Sequence, residues 1–371
     1  MRYLHVLLLL LTILPICAAE KAPLFPVPQI PFKHQRYICY RPLDPVVIDG
    51  RLDDIDWNVV PWTTPFVDIV SKDMPKPRFE TRAKMLWDND YLYIAAEMEE
   101  PDLWATLTQR DAVIFHDNDF EVFIDPDGDT HNYYELEINA LNTVWDLFLL
   151  KSYRDGDKVA LDSWDIQGLK TAVHLNGTLN DPSDRDKGWT VEIAIPWKAI
   201  GQLEDHYPPR DGDIWCMNFS RVEWKHDVID GQYVKSKDDK GNPLPEDNWV
   251  WSPQGLVAMH YPEMWGNIEF SRQNLRAEGV SVRITMGYDD EVKDYLRKVY
   301  YKEKEYYLAN GKYDPNPWHD LKFTFPPKIK KPTKPVIEIT SRSYIAHFSY
   351  PGEKRTWYTN QEGRTWVEEN K

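Results

Sequence analysis

The chain has 371 residues, a formal net charge of −16, and 16 Trp with 21 Tyr. An acidic surface of this size disfavours nucleic acid and anionic membrane, both of which recruit basic patches. It suits neutral ligands such as sugars, and divalent cations. Most of so many rings must be core, but sugar-binding faces also use them, because pyranose C–H groups pack on a ring while the hydroxyls stay wet.

The N-terminus reads as an export signal over residues 1–19. Met1-Arg2 is a short basic start, Leu4 to Ile16 is apolar, and Cys17-Ala18-Ala19 fits a small-residue cleavage site. This predicts a secreted or periplasmic mature chain. The apolar core is too short for a membrane span, and no later stretch is long enough. Leu14-Pro15-Ile16-Cys17 also permits a lipid anchor on Cys17; against it stands Ile16, where lipobox peptidases favour a small residue. Residues 20–36, with Pro23, Pro26, Pro28 and Pro31, predict an extended lead-in.

Residues 37–270 carry many short strand-like runs between turn clusters, which predicts an all-β, antiparallel β-sandwich. Val47 to Asn58 supplies a strand end, an Asp49-Gly50 turn and a short helical turn in which Asp53, Asp54 and Asp56 read as capping residues. Trp87-Asp88-Asn89-Asp90-Tyr91-Leu92-Tyr93-Ile94 predicts a half-buried hairpin reversing at its Asp/Asn turn. In Asp119 to Asp125, Phe120, Val122 and Ile124 share one face, so Asp119, Glu121, Phe123 and Asp125 fall on the other. A strand with one apolar and one acidic face is a scaffold for presenting ligands. His226 to Asp247 reads as a long charged loop. Cys39 and Cys216 lie in strand-like runs; either a disulfide or two separate buried thiols is consistent with an exported chain.

Residues 271–371 change character. Asp289 or Asp290 can cap a helix with Val292, Tyr295, Leu296, Val299, Tyr300 and Tyr307 at helical spacing, stopped by Asn310-Gly311. Phe325 to Pro335 reads as a linker. Val336–Thr340, Ser343–Tyr350 and Arg355–Thr359 then predict a short meander.

For chemistry, Asp125-Pro126-Asp127-Gly128-Asp129 brings alternate acids together in a turn. Hard cations such as calcium want such oxygens, but Pro-Asp-Gly also turns without a metal. It is not an EF-hand, since Thr130 stands where Gly is required. Zinc-motif spacing, a phosphate loop, a Gly-x-Ser-x-Gly elbow and Cys-x-x-Cys are absent from the sequence.

The three blocks from Val47, Trp87 and Asp119, followed by Asn132-Tyr133-Tyr134-Glu135, the Gly188 to Trp197 strand and Trp265-Gly266-Asn267-Ile268, resemble the family 9 carbohydrate-binding modules and their DOMON-like relatives. The resemblance covers roughly residues 40–270. It implies a sandwich that recognises a sugar or oligosaccharide end, holds structural calcium, and accompanies polysaccharide-degrading enzymes. Two rings would sandwich the sugar, at the positions of Phe115, where the family has Trp, and Trp251 or Trp249. Glu121 and Asn248 match hydroxyl-binding residues, Glu137 stands where the family has Arg, and Asn139 follows on the same face. For Trp251 a core role competes with the binding role, and for Glu121 and Glu137 an ordinary solvated strand face does. Calcium would sit at Asp125, Asp127 and Asp129. Two other classes stay open: a glycoside hydrolase using Glu121 and Glu137, and a haem-binding redox module of the DOMON type.

Overall fold

The computed structural model describes residues 25–201, 206–278, 288–318 and 336–369. The predicted signal, Cys17 and the Phe325–Pro335 linker lie outside the described residues. Two facing sheets form the sandwich. The smaller runs Thr81–Trp87, Tyr91–Glu99, Gly188–Pro196, Lys170–Asn176, antiparallel throughout. Its first hairpin turns as the sequence predicts: Asp88 Oδ1 accepts the N–H groups of Asp90 and Tyr91, and Tyr93 donates its hydroxyl to Asp88 Oδ2.

The larger sheet has nine strands. Its main path runs Arg36–Cys39, Gly266–Phe270, Ile214–Glu223, Asp119–Asp125, Tyr133–Asn139, Val144–Leu149, Ala160–Leu161. One pair, Arg36–Cys39 with Gly266–Phe270, is parallel. The far half of Ile214–Glu223 pairs instead with Asp247–Val250, which carries Val67–Asp68 on its other edge. Between the sheets lie Phe120, Val122 and Ile124, facing Met85, Ile94, Val191 and Ile193. One end is closed by Trp197, Trp215 and Phe270, packed edge to face with centroids 5.3–5.6 Å apart. Each such ring removes enough apolar surface from water to stabilise the fold by roughly 4–6 kcal/mol as an upper bound.

Several expectations change in detail. The Asp119–Asp125 strand is buried along its whole length, on the acidic face as well as the apolar one, with Met259 and His260 packed on Phe123 of its outer face. Asp54 and Asp56 flank and enter the Ile55–Val59 helix without a side-chain capping bond. They serve the preceding loop instead, Asp54 accepting the N–H of Val47 and Asp56 those of Leu43 and Asp44. The Asp49-Gly50 turn is pinned by Glu192, which accepts both its N–H groups and the Trp57 indole at 2.7–2.9 Å. Gly50 has φ +84° and a Cβ there would stand 2.6 Å from the Val173 backbone, so glycine is required. The His226–Asp247 loop contains a hairpin, His226–Ile229 with Gln232–Lys235. Its Asp230 and Gly231 are both left-handed, the geometry that suits a tight turn between twisted strands. Cys39 and Cys216 are free thiols. Cys39 belongs to the inter-sheet core, whereas Cys216 pairs with Asp125 and lies against the Gly128 turn.

The Tyr288–Asn310 helix buries Val292, Tyr295, Leu296 and Val299 against Tyr344, Ala346, Phe348 and Trp357 of a four-stranded meander. Its last strand, Thr365–Glu369, was not among the predicted runs. Asp289 lies in the first helical turn, where it accepts bonds from Arg355 and the Trp357 indole. Gly311 ends the helix with φ +67° and its N–H on the Tyr307 carbonyl. This unit grips the turn that follows Asp125. Lys293 donates to the carbonyls of Asp127 and Gly128, Arg297 to that of Gly128, and Arg364 to the Asp129 carboxylate at 2.6 Å.

Asp129 is 2% exposed, so removing its cationic partner leaves a buried carboxylate oxygen without its donor. Arg364→Ala is expected to lower unfolding free energy in urea by about 1–2 kcal/mol, the Arg being partly solvated; an unchanged midpoint would show that the contact contributes nothing.

Candidate functional site

The outer face of the larger sheet holds a cavity of about 370 Å³. Strand alternation builds its floor. Glu121 stands opposite Glu137, Phe123 opposite Glu135, and Glu137 opposite Trp145 across three adjacent strands, so the period of two sends all of these side chains to one face. Asn248 and Glu246 enter from the Asp247–Val250 strand and the loop before it. Phe115 comes from a short 3-10 turn, and Tyr153 and His260 close the far side. Tyr153 meets His260 edge to face with centroids 4.5 Å apart, and His260 Nδ1 lies 2.9 Å from the Tyr133 hydroxyl.

The electrostatics are one-sided. Glu121, Glu135 and Glu137 are 5%, 5% and 2% exposed. Burial pushes the Glu121 carboxyl up to about 7, with Glu246 adding to the effect. Burial and then Glu121 raise both Glu135 and Glu137 well above the ordinary carboxylate range. Glu137 also accepts the Phe115 N–H at 2.9 Å. Asp119, Glu121 and Glu137 each offer an oxygen within 4.8 Å of the others. Burial and then Arg154 push His260 down to about 3, so it is neutral. Among the described residues, the cavity lining contains neither Lys nor Arg.

Of the residues named from sequence, Phe115, Glu121, Glu137 and Asn248 come together here. Asn139 sits at the strand end and fastens a loop: its amide donates to the Leu107 carbonyl and Asp117, and its oxygen accepts the N–H groups of Leu141 and Thr143. Trp249 and Trp251 are 3% and 1% exposed and belong to the inter-sheet core. Trp249 has the opposite parity to Asn248 on the strand, and Trp251 follows the strand end on the same side as Trp249. The Trp251 ring packs on Phe219 and lies so close to Gly266 that a Cβ there would stand 2.4 Å from it. Trp145, Tyr153, Glu135 and Glu246 were missed. Glu135 and Trp145 were findable, being two residues before Glu137 and on the next strand; Tyr153 and Glu246 are brought in by loops with no periodic signal.

The Asp125 turn is largely self-satisfied. Asp125 accepts the N–H groups of Gly128 and Thr130, Asp127 that of Asp129, and Asp129 that of His131 as well as Arg364. Oxygens of the three acids lie within 4.8 Å of one another, and burial, then mutual repulsion, raises Asp125 well above its ordinary range. Lys293 and Arg364 bring positive charge to these acids.

The family described as carbohydrate family 9 binding domain-like matches residues 48–270. The fold and the sheet-face cavity define a binding-module sandwich, and the chain belongs to that family. An exoglucanase of Acetivibrio thermocellus is 29% identical over 157 residues, 42% of this chain; the match spans only 12% of that enzyme. A family 9 module from Caldicellulosiruptor kristjanssonii, solved with cellotriose, is 18% identical, with 68% of this chain and all of that one covered and a TM-score of 0.41. A protein from Bacteroides uniformis described as a putative carbohydrate-binding protein is also 18% identical, with 64% and 100% covered and a TM-score of 0.45. Among the described residues, no helix is long and apolar enough to cross a membrane.

The raised carboxyls make stability depend on pH. Glu121 holds its proton in the folded state up to about pH 7 but loses it near 4.5 when unfolded. Between those values the native state binds more protons, so stability falls as pH rises through the window, by on the order of 3 kcal/mol for this group. Glu121→Gln, which cannot ionise, is expected to match the parent melting temperature at pH 4.5 and exceed it at pH 7.5. Parallel curves for the two proteins across this range would show that Glu121 titrates normally.

Proposed function

We propose that the chain binds a sugar or oligosaccharide end in the cavity between Phe115, Trp145 and Tyr153, without reacting with it. The observation that carries this is the convergence of three rings and buried hydrogen-bonding groups on one open sheet face, the chemistry by which proteins stack and clasp pyranoses. Glu121, Glu135, Glu137 and Asn248 bond the hydroxyls. Trp145 and Tyr153 supply ring faces, in place of the inward-facing Trp251. Glu121 and Glu137 offer oxygens within 4.8 Å of each other, too close for the water that an inverting glycosidase seats between carboxyls ~6.5–9.5 Å apart. We further propose that the chain is exported after loss of residues 1–19 and works beside polysaccharide-degrading enzymes.

Affinity is expected in the micromolar to millimolar range, as for one or two stacked rings and a few wet hydrogen bonds. Calorimetric titration with glucose, cellotriose and xylo-oligosaccharides, native and end-reduced, tests this. Trp145→Ala should cost about 1–3 kcal/mol of binding with little loss of stability. Trp251→Ala should instead cost about 3–5 kcal/mol of stability, since it opens the core. If Trp251→Ala removes binding from a fully folded protein and Trp145→Ala does not, the site lies elsewhere.

We infer that the acids of the Asp125 turn are neutralised by Lys293 and Arg364 rather than by calcium. Excess EDTA is then expected to leave the melting temperature unchanged. A ligand present at 100 times its dissociation constant would contribute about 2.7 kcal/mol, so a clear drop on chelation, restored by calcium, would assign a metal to the turn.

A further inference from the structure

The same cavity carries a stronger statement about its ligand, which rests on the carbohydrate reading above. Three carboxyl groups, on Glu121, Glu135 and Glu137, are at least 95% buried in its floor, and Glu246 stands at its rim. Behind them Asp119 is fully buried, and its Oδ2 has no hydrogen-bond partner among the described residues although an Asp119 oxygen lies within 4.8 Å of Glu121 and Glu137. Other buried carboxylates are answered by cations, as Glu263 is by Arg154 at 2.6 Å and Glu100 and Glu223 are by Arg221 at 2.8 Å, or by several N–H donors, as Glu192 is. Among the described residues the cavity lining has no Lys or Arg, and its one histidine, His260, whose Nδ1 meets Tyr133 and whose Nε2 lies 3.9 Å from Glu135, is held neutral by burial and Arg154. Without a counter-charge such buried carboxyls hold their protons in the free protein, and a ligand that brings a positive charge lets them ionise against it, so a site built this way gains most from a cationic ligand.

A metal ion alone would leave the ring-lined half of the cavity unused. Phe115 and Trp145 present faces that favour a sugar ring or an organic cation. Hydroxyl groups both donate and accept, whereas ionised carboxylates only accept; a neutral sugar supplies donors but no charge, while an ammonium supplies both. We propose that the cavity selects saccharides bearing a protonated primary amine, such as a glucosamine unit at the end of a de-acetylated chain, over the neutral or N-acetylated counterparts. The ammonium would sit among Glu121, Glu135 and Glu137, with the ring against Trp145.

The test is calorimetric titration of the chain in EDTA, at physiological ionic strength where surface attraction is screened beyond ~8 Å. The ligands are the β-1,4-linked trimers of glucosamine, N-acetylglucosamine and glucose. The free-amine trimer is expected to bind about tenfold more tightly than either other, as charge-assisted bonds would give. Glu137→Gln should bring that ratio close to one; Glu121→Gln serves as the second variant should the first not fold, each checked by its thermal melt. Comparable binding of all three trimers by the parent overturns the selectivity while leaving the carbohydrate site standing. A preference that survives both substitutions also overturns it, assigning the effect to the acidic surface. Binding of none of the three overturns this proposal and the carbohydrate reading together.

Discussion

The structure turns on the pairing of Asp119–Asp125 between Ile214–Glu223 and Tyr133–Asn139. This strand is buried on both faces, and the two faces do opposite things. Phe120, Val122 and Ile124 enter the inter-sheet core, while Asp119, Glu121 and Asp125 are held among other acids on the far side. Because the side-chain period is two, a one-residue slip would place the acids in the core and the apolar residues in the cavity. The register is therefore fixed by the cost of that exchange, which exceeds anything a local turn could impose.

The acidic face costs stability, and the surrounding structure shows how the cost is limited. Glu137 receives a backbone N–H from Phe115, and Asp119 one from Val222. Glu121 and Glu135 get less, and the strands beside them add more carboxyls rather than cations. Their response is to keep protons that exposed carboxyls would lose. At the strand's end the solution differs: Asp129 receives Arg364, and the Gly128 carbonyl receives Lys293 and Arg297. One strand thus leads into an acidic turn that meets protein cations and also carries an acidic cluster whose described surroundings hold no Lys or Arg.

The sandwich was legible in the sequence because each strand announces itself by alternation and each turn by Asp, Asn or Gly. The hairpin at Asp88 and the acidic face at Glu121 follow directly from that period. The cavity was legible in part, through the residues that share the sheet's own periodicity. Trp251 was opaque: nothing in one sequence tells a Trp that faces a ligand from a Trp that faces the opposite sheet, unless the parity of its strand is tied to a neighbour of known direction. Asn248 faces the cavity, whereas Trp249 alternates to the other face and Trp251, just past the strand end, packs on Phe219 in the inter-sheet core. Tyr153 was hidden for a different reason, since only the folded path of the Lys151–Asp155 segment brings it to His260.

That segment shows what the C-terminal unit contributes beyond its own core. Lys151 pairs with Glu362 at 2.6 Å, and Asp155 accepts the Tyr300 hydroxyl and pairs with Lys304 at 2.5 Å. Arg154, between them, pairs with Glu263 and stacks over Tyr261 and Tyr300. Phe25 of the lead-in packs against the same Tyr300 and Tyr301. Tyr153 is the exposed member of an otherwise clamped stretch: its neighbours are held from the helix and the meander, and its ring is left against His260 at the cavity edge. The helix and meander therefore do more than cover the sandwich. They fix the backbone that carries one wall of the cavity, and they grip the turn at the end of the strand that forms its floor, so the C-terminal unit and the cavity are parts of one packing arrangement.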